Sequence, residues 1–328
     1  MKVIITGGCG FLGIQLAKNL TKRGHLISAS GAVQNITEII LFDQTIADSL
    51  ADGLDDRTQM VQGDVANPQH IAKLFAGEDV SVFHLASVVS AEAEKNYDLA
   101  MNVNINGLIN VLNVCRRQPV KPKVVFASSL AVYGGPLPVE TTDSTRQTPV
   151  TTYGMSKVFG ELLINDMTRK SFIDGRIARL PTVIIRPGKP NNAASSFISG
   201  MFREPLMGKS TTIPVDGQMK LAVMGYRACI QGLIDLHDAE DSHFFTDDRS
   251  VTLPSLSRRV NDMLLTLKSV AEKNKIKLGH IDYQHDVDVE RIIASWPGKM
   301  SSTRAINMGL EKDTGLEAII EGFISDFL

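Results

Sequence analysis

Tyr153 and Lys157 stand four residues apart in a segment whose pattern predicts a helix. That spacing places both side chains on one helix face, with the ammonium near the phenol. A neighbouring cation favours the phenolate and lowers its pKa from about 10 toward working pH. Tyr153 is then able to take a proton from a hydroxyl, while Lys157 also holds the ribose of a nicotinamide cofactor. The pair predicts proton transfer beside a hydride acceptor, although the same spacing also arises on ordinary amphipathic helices.

Two serines follow the predicted strand Lys123–Ala127, shortly before this helix. The hydroxyl of Ser129 is a candidate to orient the oxygen that Tyr153 deprotonates, and Ser128 is the alternative. We therefore predict Ser129, Tyr153 and Lys157 as the catalytic residues.

Glycines at positions 7, 10 and 13 lie between a predicted strand, Val3–Thr6, and a predicted helix, Phe11–Arg23. In this context Gly7 permits a tight turn and Gly10 lets the backbone approach a pyrophosphate. Gly13 lets the helix pack closely on the strand, which puts the phosphates at the helix N-terminus. A glycine-rich turn without a ligand is the alternative.

Asp43 closes the predicted second strand, downstream of the glycine loop. A carboxylate there accepts hydrogen bonds from both ribose hydroxyls and repels a 2′-phosphate, which favours NAD over NADP. An aspartate that only caps a turn is the alternative.

The ends of the next two predicted strands carry further candidate cofactor contacts. Asp64 and Val65 follow the third strand, and we expect them to contact the adenine edge of the cofactor. Leu85, Ala86 and Ser87 follow the fourth, where backbone can run beside the cofactor. Each alone is an ordinary strand end, but their order along the chain supports one nucleotide site.

Strands and helices alternate through the first half of the chain, which predicts an α/β fold with a Rossmann-type doubly wound parallel sheet. We expect a cofactor domain over residues 1–180 and a smaller substrate-binding lobe over residues 181–328, interwoven and with an approximate boundary. The predicted elements besides those above are strands at Glu38–Phe42, Thr58–Val61 and Val80–Leu85, and helices at Tyr97–Arg117, Tyr153–Lys170, Leu256–Glu272 and Asp313–Phe327.

The bulk composition excludes several classes of protein. The 328 residues carry a formal net charge of −2, which offers no electrostatic footprint for nucleic acid or an acidic membrane. We see no secretion signal and no apolar run near the roughly 20 residues that span a bilayer, so we expect a cytoplasmic protein. The three cysteines are widely spaced, so we expect reduced thiols and no metal site.

These motifs together resemble the extended short-chain dehydrogenase/reductase family, which includes nucleotide-sugar epimerases and dehydratases. Its serine motif places the serine four residues before a tyrosine, here Ser129 before Tyr133. The resemblance implies a Rossmann domain that binds NAD, a smaller substrate domain and a homodimer formed through a helix pair. It also implies cofactor contacts by Phe11, Leu12, Asn104, Pro181 and Val183.

Within that family, the chain looks most like dehydrogenases of small sugar acids. This resemblance is carried by the segment from Arg186 to Phe197 and by the tetrapeptide Ser295–Gly298. The resemblance implies NAD-dependent oxidation of the C2 hydroxyl of a four-carbon sugar acid to a 2-keto acid. Such a substrate needs a cation for its carboxylate and several hydroxyl partners. Arg186 is either such a cation or a structural ion-pair partner, and Arg291 is another candidate. The predicted substrate contacts, besides Ser129 and Tyr153, are Lys189, Asn192, Ser195, Ser196 and Arg203.

Two other functions remain open. A nucleotide-sugar epimerase uses the same tyrosine and lysine with a retained NAD and needs a nucleoside diphosphate site in the C-terminal half. A 4,6-dehydratase is disfavoured because Leu130 and Ala131 stand where that subgroup has an acidic pair. A non-catalytic redox sensor would bind the cofactor and signal through a partner, but such relatives often lose the Tyr/Lys pair that this chain keeps.

Overall fold

The computed structural model describes residues 1–75, 79–188, 196–244 and 247–328. Over those ranges, no helix combines the length and apolar character that crossing a membrane requires.

A parallel sheet of seven strands forms the centre of the described structure, in the order β12-β8-β7-β6-β1-β4-β5. β6 is buried along its whole length, as expected for a strand covered on both faces. The strands of the described residues are β1 Lys2–Thr6, β2 His25–Ile27, β3 Val33–Asn35, β4 Glu38–Asp43, β5 Thr58–Gln62, β6 Val80–His84, β7 Lys123–Ser129, β8 Asp174–Leu180, β9 Thr182–Ile184, β10 Thr211–Ile213, β11 Lys220–Gly225, β12 Ser250–Thr252, β13 Leu256–Arg259 and β14 Ile281–Tyr283.

The strand order reverses between β1 and β6, which pair in parallel with Thr6 opposite His84. In open α/β sheets a crevice forms at such a switch point, beyond the carboxyl ends of the strands. The glycine loop after β1 and the segment Leu85–Ser87 after β6 both lie there. The predicted Rossmann-type fold is confirmed.

Helices cover both faces of this sheet. The α-helices of the described residues are α1 Phe11–Arg23, α2 Pro68–Ala72, α3 Ser90–Lys95, α4 Tyr97–Ala100, α5 Gly107–Cys115, α6 Thr152–Arg169, α7 Ser196–Leu206, α8 Tyr226–Asp238, α9 Val260–Lys273, α10 Val287–Ala294, α11 Thr303–Asn307 and α12 Leu316–Phe327.

Two predicted helices differ from the observed ones. The predicted helix Tyr97–Arg117 is interrupted by a π-helical turn at Met101–Asn106, between α4 and α5. The predicted helix Leu256–Glu272 begins instead as a strand, because β13 pairs with β11 through residues 256–259 before α9 starts. Tertiary pairing overrides the local helical pattern there.

The C-terminal half contributes to both parts of the molecule. β12 extends the main sheet beside β8, and α8 packs against β7 and β8. The remaining elements surround a separate apolar core built around β9, β11, α7, α9 and α12. The cleft between this core and the carboxyl edge of the main sheet holds the predicted catalytic residues.

Candidate active site

The glycine loop brings α1 close to β1. A Cβ at Gly13 would lie 2.5 Å from the carbonyl oxygen of Gly7, a distance that side chains do not tolerate. Gly10 is the N-cap of α1 and offers no side-chain hydrogen bond to the first turn. The first amides of α1 therefore remain available to an anion, and the helix dipole favours negative charge there.

Asp43 lies at the end of β4 and lines a cleft together with Gly7, Gly10 and Asp64. Its carboxylate accepts hydrogen bonds from the backbone amides of Cys9 (3.1 Å) and Gln44 (2.8 Å). These two bonds leave further acceptor positions free for ribose hydroxyls. The amides at the helix N-terminus are donors for phosphates, and the Asp43 carboxylate is an acceptor for ribose hydroxyls. Together these groups fit a dinucleotide.

The cleft continues toward the catalytic residues. We call the part beside Asp43 the nucleotide part and the part beside Tyr153 the catalytic part. Leu85 and Ser87 line both parts. Val65 and Ala86 line the nucleotide part, whereas Leu12, Pro181 and Val183 line the catalytic part. Phe11 differs, since its ring packs on Tyr226 and Phe327 in the core. Phe11 begins α1 directly after Gly10, and Gly10 lines the nucleotide part of the cleft.

Asn104 holds the segment after β6 in place. Its side chain accepts from the Val88 amide (2.7 Å) and donates to the Val88 carbonyl (3.0 Å) and to Ser156 Oγ (3.2 Å). Asn104 lies in the π-helical turn, which re-aims side chains relative to a regular helix. Its structural contacts thus join the cofactor cleft to α6.

Tyr153 reaches Ser129 because α6 begins very close to the segment after β7. A Cβ at Gly154 would lie 2.1 Å from the Ala131 carbonyl oxygen, so only glycine permits this approach. Thr151 caps the helix by accepting from the Gly154 amide at 3.0 Å. Tyr153, Ser129 and Lys157 line the same cleft, and Ser129 acts to lower the pKa of Tyr153. The structure therefore brings together the three residues that the sequence predicted as catalytic.

Lys157 is buried beneath Tyr153. Its Nζ donates to the Ala127 carbonyl (2.8 Å) and lies 4.8 Å and 5.4 Å from the ring centroids of Phe126 and Tyr153. Burial lowers the pKa of its ammonium to about 7, against the nearby charge of Glu161, which raises it. Lys157 thus changes its charge near neutral pH.

Burial raises the pKa of Tyr153, while its hydrogen bond with Ser129 and the charge of Arg186 act to lower it. The sequence predicted that Lys157 exerts this lowering effect. Lys157 Nζ lies over the Tyr153 ring and donates to the Ala127 carbonyl, and its effect on the pKa of Tyr153 stays a prediction.

Ser128 belongs to a separate polar cluster, although both serines border the cleft. Its hydroxyl donates to Glu161 Oε1. Glu161 also receives a forked pair from Arg179, at 2.7 to 3.1 Å, and a bond from Ser250 Oγ (3.1 Å). Because the Ser128 hydroxyl donates to this carboxylate, the structure favours Ser129 as the serine that acts on Tyr153.

Arg186 lines the catalytic part of the cleft, and its charge acts on Tyr153. The residue before it, Ile185, is fully buried and has a φ of 55°, in the left-handed region that β-branched residues rarely adopt. Such strain costs about 1–3 kcal/mol, persists only where the surrounding packing imposes it, and is concentrated at functional sites.

The two other candidate arginines, Arg203 and Arg291, do not line this cleft. Arg203 is buried, with its guanidinium donating to Glu204 Oε1 (2.6 and 2.8 Å) and to the Arg186 carbonyl (2.8 Å). Arg291 is exposed on α10 and pairs with Asp288 at 3.2 Å. Ser196 begins α7. The predicted contacts Lys189, Asn192 and Ser195 lie outside the described residues.

Trp296 is a cleft residue that the sequence did not predict as functional. It follows α10 and is the chain's only tryptophan. The tetrapeptide Ser295–Gly298, which carries part of the family resemblance, was the available signal, but it does not by itself distinguish packing from binding.

A family model described as the NAD dependent epimerase/dehydratase family matches residues 3–224. The chain is 38% identical to D-erythronate dehydrogenase of Cupriavidus necator over 99% of this chain and 98% of that protein. It is also 38% identical to D-erythronate dehydrogenase of Haemophilus influenzae, over 99% of each chain. A solved structure described as a nucleoside-diphosphate-sugar epimerase from Agrobacterium tumefaciens superposes with a TM-score of 0.89 at 31% identity, covering 100% of this chain and 94% of that one.

Proposed function

We propose a reaction for this chain, which belongs to the NAD dependent epimerase/dehydratase family. It is an NAD-dependent dehydrogenase that oxidises the C2 hydroxyl of D-erythronate to the 2-keto acid. The observation that carries this proposal is near-full-length similarity to two D-erythronate dehydrogenases, combined with a cleft that contains Tyr153, Ser129 and Arg186. The expected family resemblance and the predicted NAD cofactor agree with the matching family model.

In the proposed reaction Tyr153 takes the proton of the C2 hydroxyl, and Ser129 orients the oxygen that loses it. Bound NAD would supply the acceptor for the hydride that leaves C2, and the products would then be the 2-keto acid, NADH and a proton. Lys157 holds the nicotinamide ribose and exchanges a proton near neutral pH, which its pKa of about 7 supports. Asp43 binds the adenosine ribose, and Asp64, Val65 and Asn104 support the rest of the nucleotide cleft.

The test is a substrate panel in which NADH formation is followed by absorbance at about 340 nm. We expect NADH to accumulate with NAD and D-erythronate and not with UDP-sugars. UDP-sugar interconversion without turnover of any four-carbon acid would instead assign the epimerase activity, which the Agrobacterium structure's description makes the alternative. The apolar Leu130 and Ala131 beside Ser129 argue against dehydration, because neither side chain transfers a proton. NAD binding with no turnover of either class would indicate a sensor.

Arg186 is the cation that we propose for the substrate carboxylate. Of the three candidate arginines, Arg186 borders the cleft, whereas Arg203 is held by Glu204 and Arg291 is exposed on α10. We expect Arg186→Met to raise the KM for D-erythronate by about 10²-fold, the effect of losing a charge-assisted hydrogen-bonded pair. Arg291→Met is the matched control and should leave KM unchanged. An unchanged KM in Arg186→Met would exclude the proposed role.

Asp43 is proposed to set the preference for NAD. Asp43→Ala removes the carboxylate that would repel a 2′-phosphate and should therefore raise the ratio of NADP to NAD affinity. Equal ratios in the variant and the wild type would remove Asp43 from the ribose site.

We also propose that two copies of the chain form a homodimer. α4 and α6 contact each other, and they expose the apolar side chains of Tyr97 and Leu162, at 56% and 62%. Leu162→Asp places a charge on this surface and should convert a dimer to a monomer in light scattering. A wild type of monomer mass would refute the proposal.

A further inference from the structure

Arg203 contacts the backbone of Arg186 and not the cleft. Its Nη1 donates to the Arg186 carbonyl at 2.8 Å. Its Nε and Nη2 donate to Glu204 Oε1 at 2.8 and 2.6 Å. Because the Arg203 side chain is buried, water does not compete for these bonds. The guanidinium is therefore held in one place, and it holds the Arg186 carbonyl there.

The backbone before that carbonyl makes an unusual turn. β9 ends at Ile184, which pairs with Gly225 of β11. The next residue, Ile185, is buried and has a φ of 55°, which a β-branched residue adopts only where its surroundings impose it. Pro187 follows Arg186 and biases it toward extended backbone. The direction in which the Arg186 side chain leaves the backbone is thus set between β9 and Pro187.

The bond between Arg203 and the Arg186 carbonyl connects this turn to α7. α7 packs against β9, β10 and α9, and its residues Met201 and Phe202 are fully buried in the core of the smaller lobe. Since this core anchors α7, Arg203 is a fixed point that holds the turn. The side chain of Arg186 lines the catalytic part of the cleft together with Tyr153. The packing of the smaller lobe therefore reaches the cleft through one hydrogen bond.

The two arginines differ in what they do with their charge. Arg203 forms an ion pair with Glu204 and does not line the cleft, whereas Arg186 does. Burial lowers the pKa of Arg186, and the charge of Arg203 acts in the same direction. The carboxylate of Glu204 offsets that charge and so limits the repulsion between the two guanidiniums. Arg203 can thus lie behind Arg186 without displacing it.

We propose that Arg203 is a positioning residue for substrate recognition. Its bond to the Arg186 carbonyl holds the turn at Ile185 and thereby aims the Arg186 guanidinium at the substrate carboxylate. The inference rests on the proposed oxidation of D-erythronate and on the proposed role of Arg186, and it adds the residue that sets the geometry of that contact. An arginine–carboxylate pair depends on geometry as well as charge, so loss of the bond weakens substrate binding even though the charge of Arg186 remains.

Arg203→Met removes the bond and leaves Arg186 in place. We expect the KM for D-erythronate to rise about tenfold, with kcat and the dissociation constant for NAD near wild type, because the reacting groups are unchanged. Glu204→Gln is the matched control. It removes the charge of the ion pair, but its amide oxygen still accepts from Arg203, so KM should stay at the wild-type value. If Arg203→Met does not fold, Arg203→Lys takes its place, because it keeps a charge for Glu204 and lacks the fork that reaches both partners.

A double-mutant cycle distinguishes positioning from a general loss of structure. If Arg203 acts through Arg186, Arg203→Met should raise KM about tenfold in the wild-type background and leave it unchanged in the Arg186→Met background. The same factor in both backgrounds, an equal rise in Glu204→Gln, or no rise at all would overturn the inference while leaving the dehydrogenase activity standing. Failure of the wild type to oxidise D-erythronate would instead overturn the proposed function.

Discussion

Two polar clusters lie along the same helix, and they differ in how completely their groups are paired. In the proposed catalytic cluster, Tyr153 and Lys157 border an open cleft, and Lys157 Nζ donates to one carbonyl. In the structural cluster, two turns later on α6, the Glu161 carboxylate receives bonds from Arg179, Ser128 and Ser250. Lys157 and Glu161 are both buried, so burial alone does not identify a reactive site. We therefore expect loss of one partner in the fully paired cluster to affect folding, and loss of a partly free group beside the cavity to affect chemistry.

The sharpest test of this contrast is Tyr153→Phe. Removing the phenol hydroxyl removes the proposed base, so we expect kcat to fall by about 10³-fold. The ring and its packing remain, so the melting temperature and NAD affinity should stay near wild type. Steady-state kinetics and calorimetry measure both. A wild-type rate would show that the proton moves elsewhere.

The structural cluster should respond in the opposite way. Glu161→Ala leaves the buried Arg179 guanidinium without its carboxylate, so the free energy of unfolding should fall by about 3–5 kcal/mol. Denaturant titration measures this loss. At a temperature where the variant is folded, NAD affinity should stay within a few-fold of wild type. A loss below about 1 kcal/mol would mean that water replaces the carboxylate and that the cluster is not closed.

The adjacent residues Ser128 and Ser129 test the structural and the catalytic role separately. Ser129→Ala should lower kcat/KM by about 10²-fold, because Ser129 acts on Tyr153, and its loss of stability should be confined to the hydrogen bond that its Oγ accepts from the Ala131 amide at 3.2 Å. Ser128→Ala should lower the free energy of unfolding by about 1–2 kcal/mol with kcat/KM near wild type, because Ser128 donates to Glu161. The reverse pattern would exchange the two assignments.

Lys157 lies between the two clusters, and the charge of Glu161 acts on its ammonium. Its pKa is about 7 in the folded protein and about 10.4 when unfolded, so between these values the unfolded chain holds the extra proton. Stability from this group therefore rises with pH across that window and is constant below it. The difference in unfolding free energy between wild type and Lys157→Met should grow in favour of wild type from pH 7 to 10. A difference independent of pH would contradict the lowered pKa.

The sequence supported accurate predictions wherever one strand and its following helix contain the relevant residues. The predicted limits of β1, α1 and α6 lie within one residue of the observed ones. The predictions failed where distant segments pair: β13 replaces the start of a predicted helix because β11 lies beside it. The π-helical turn around Asn104 likewise depends on contacts with Val88 and Ser156 from other elements.

The same distinction applies to the site. Glycine spacing, the Asp43 position and the Tyr153/Lys157 pair are readable from the chain alone, because each follows from the period of a local element. The choice of Ser129 over Ser128 required the position of Glu161, 33 residues away from Ser128 along the chain. The assignment of Arg186 and Trp296 to the cleft required the folded smaller lobe. Local periodicity says which way a side chain points from its own element, but long-range packing sets what it meets there.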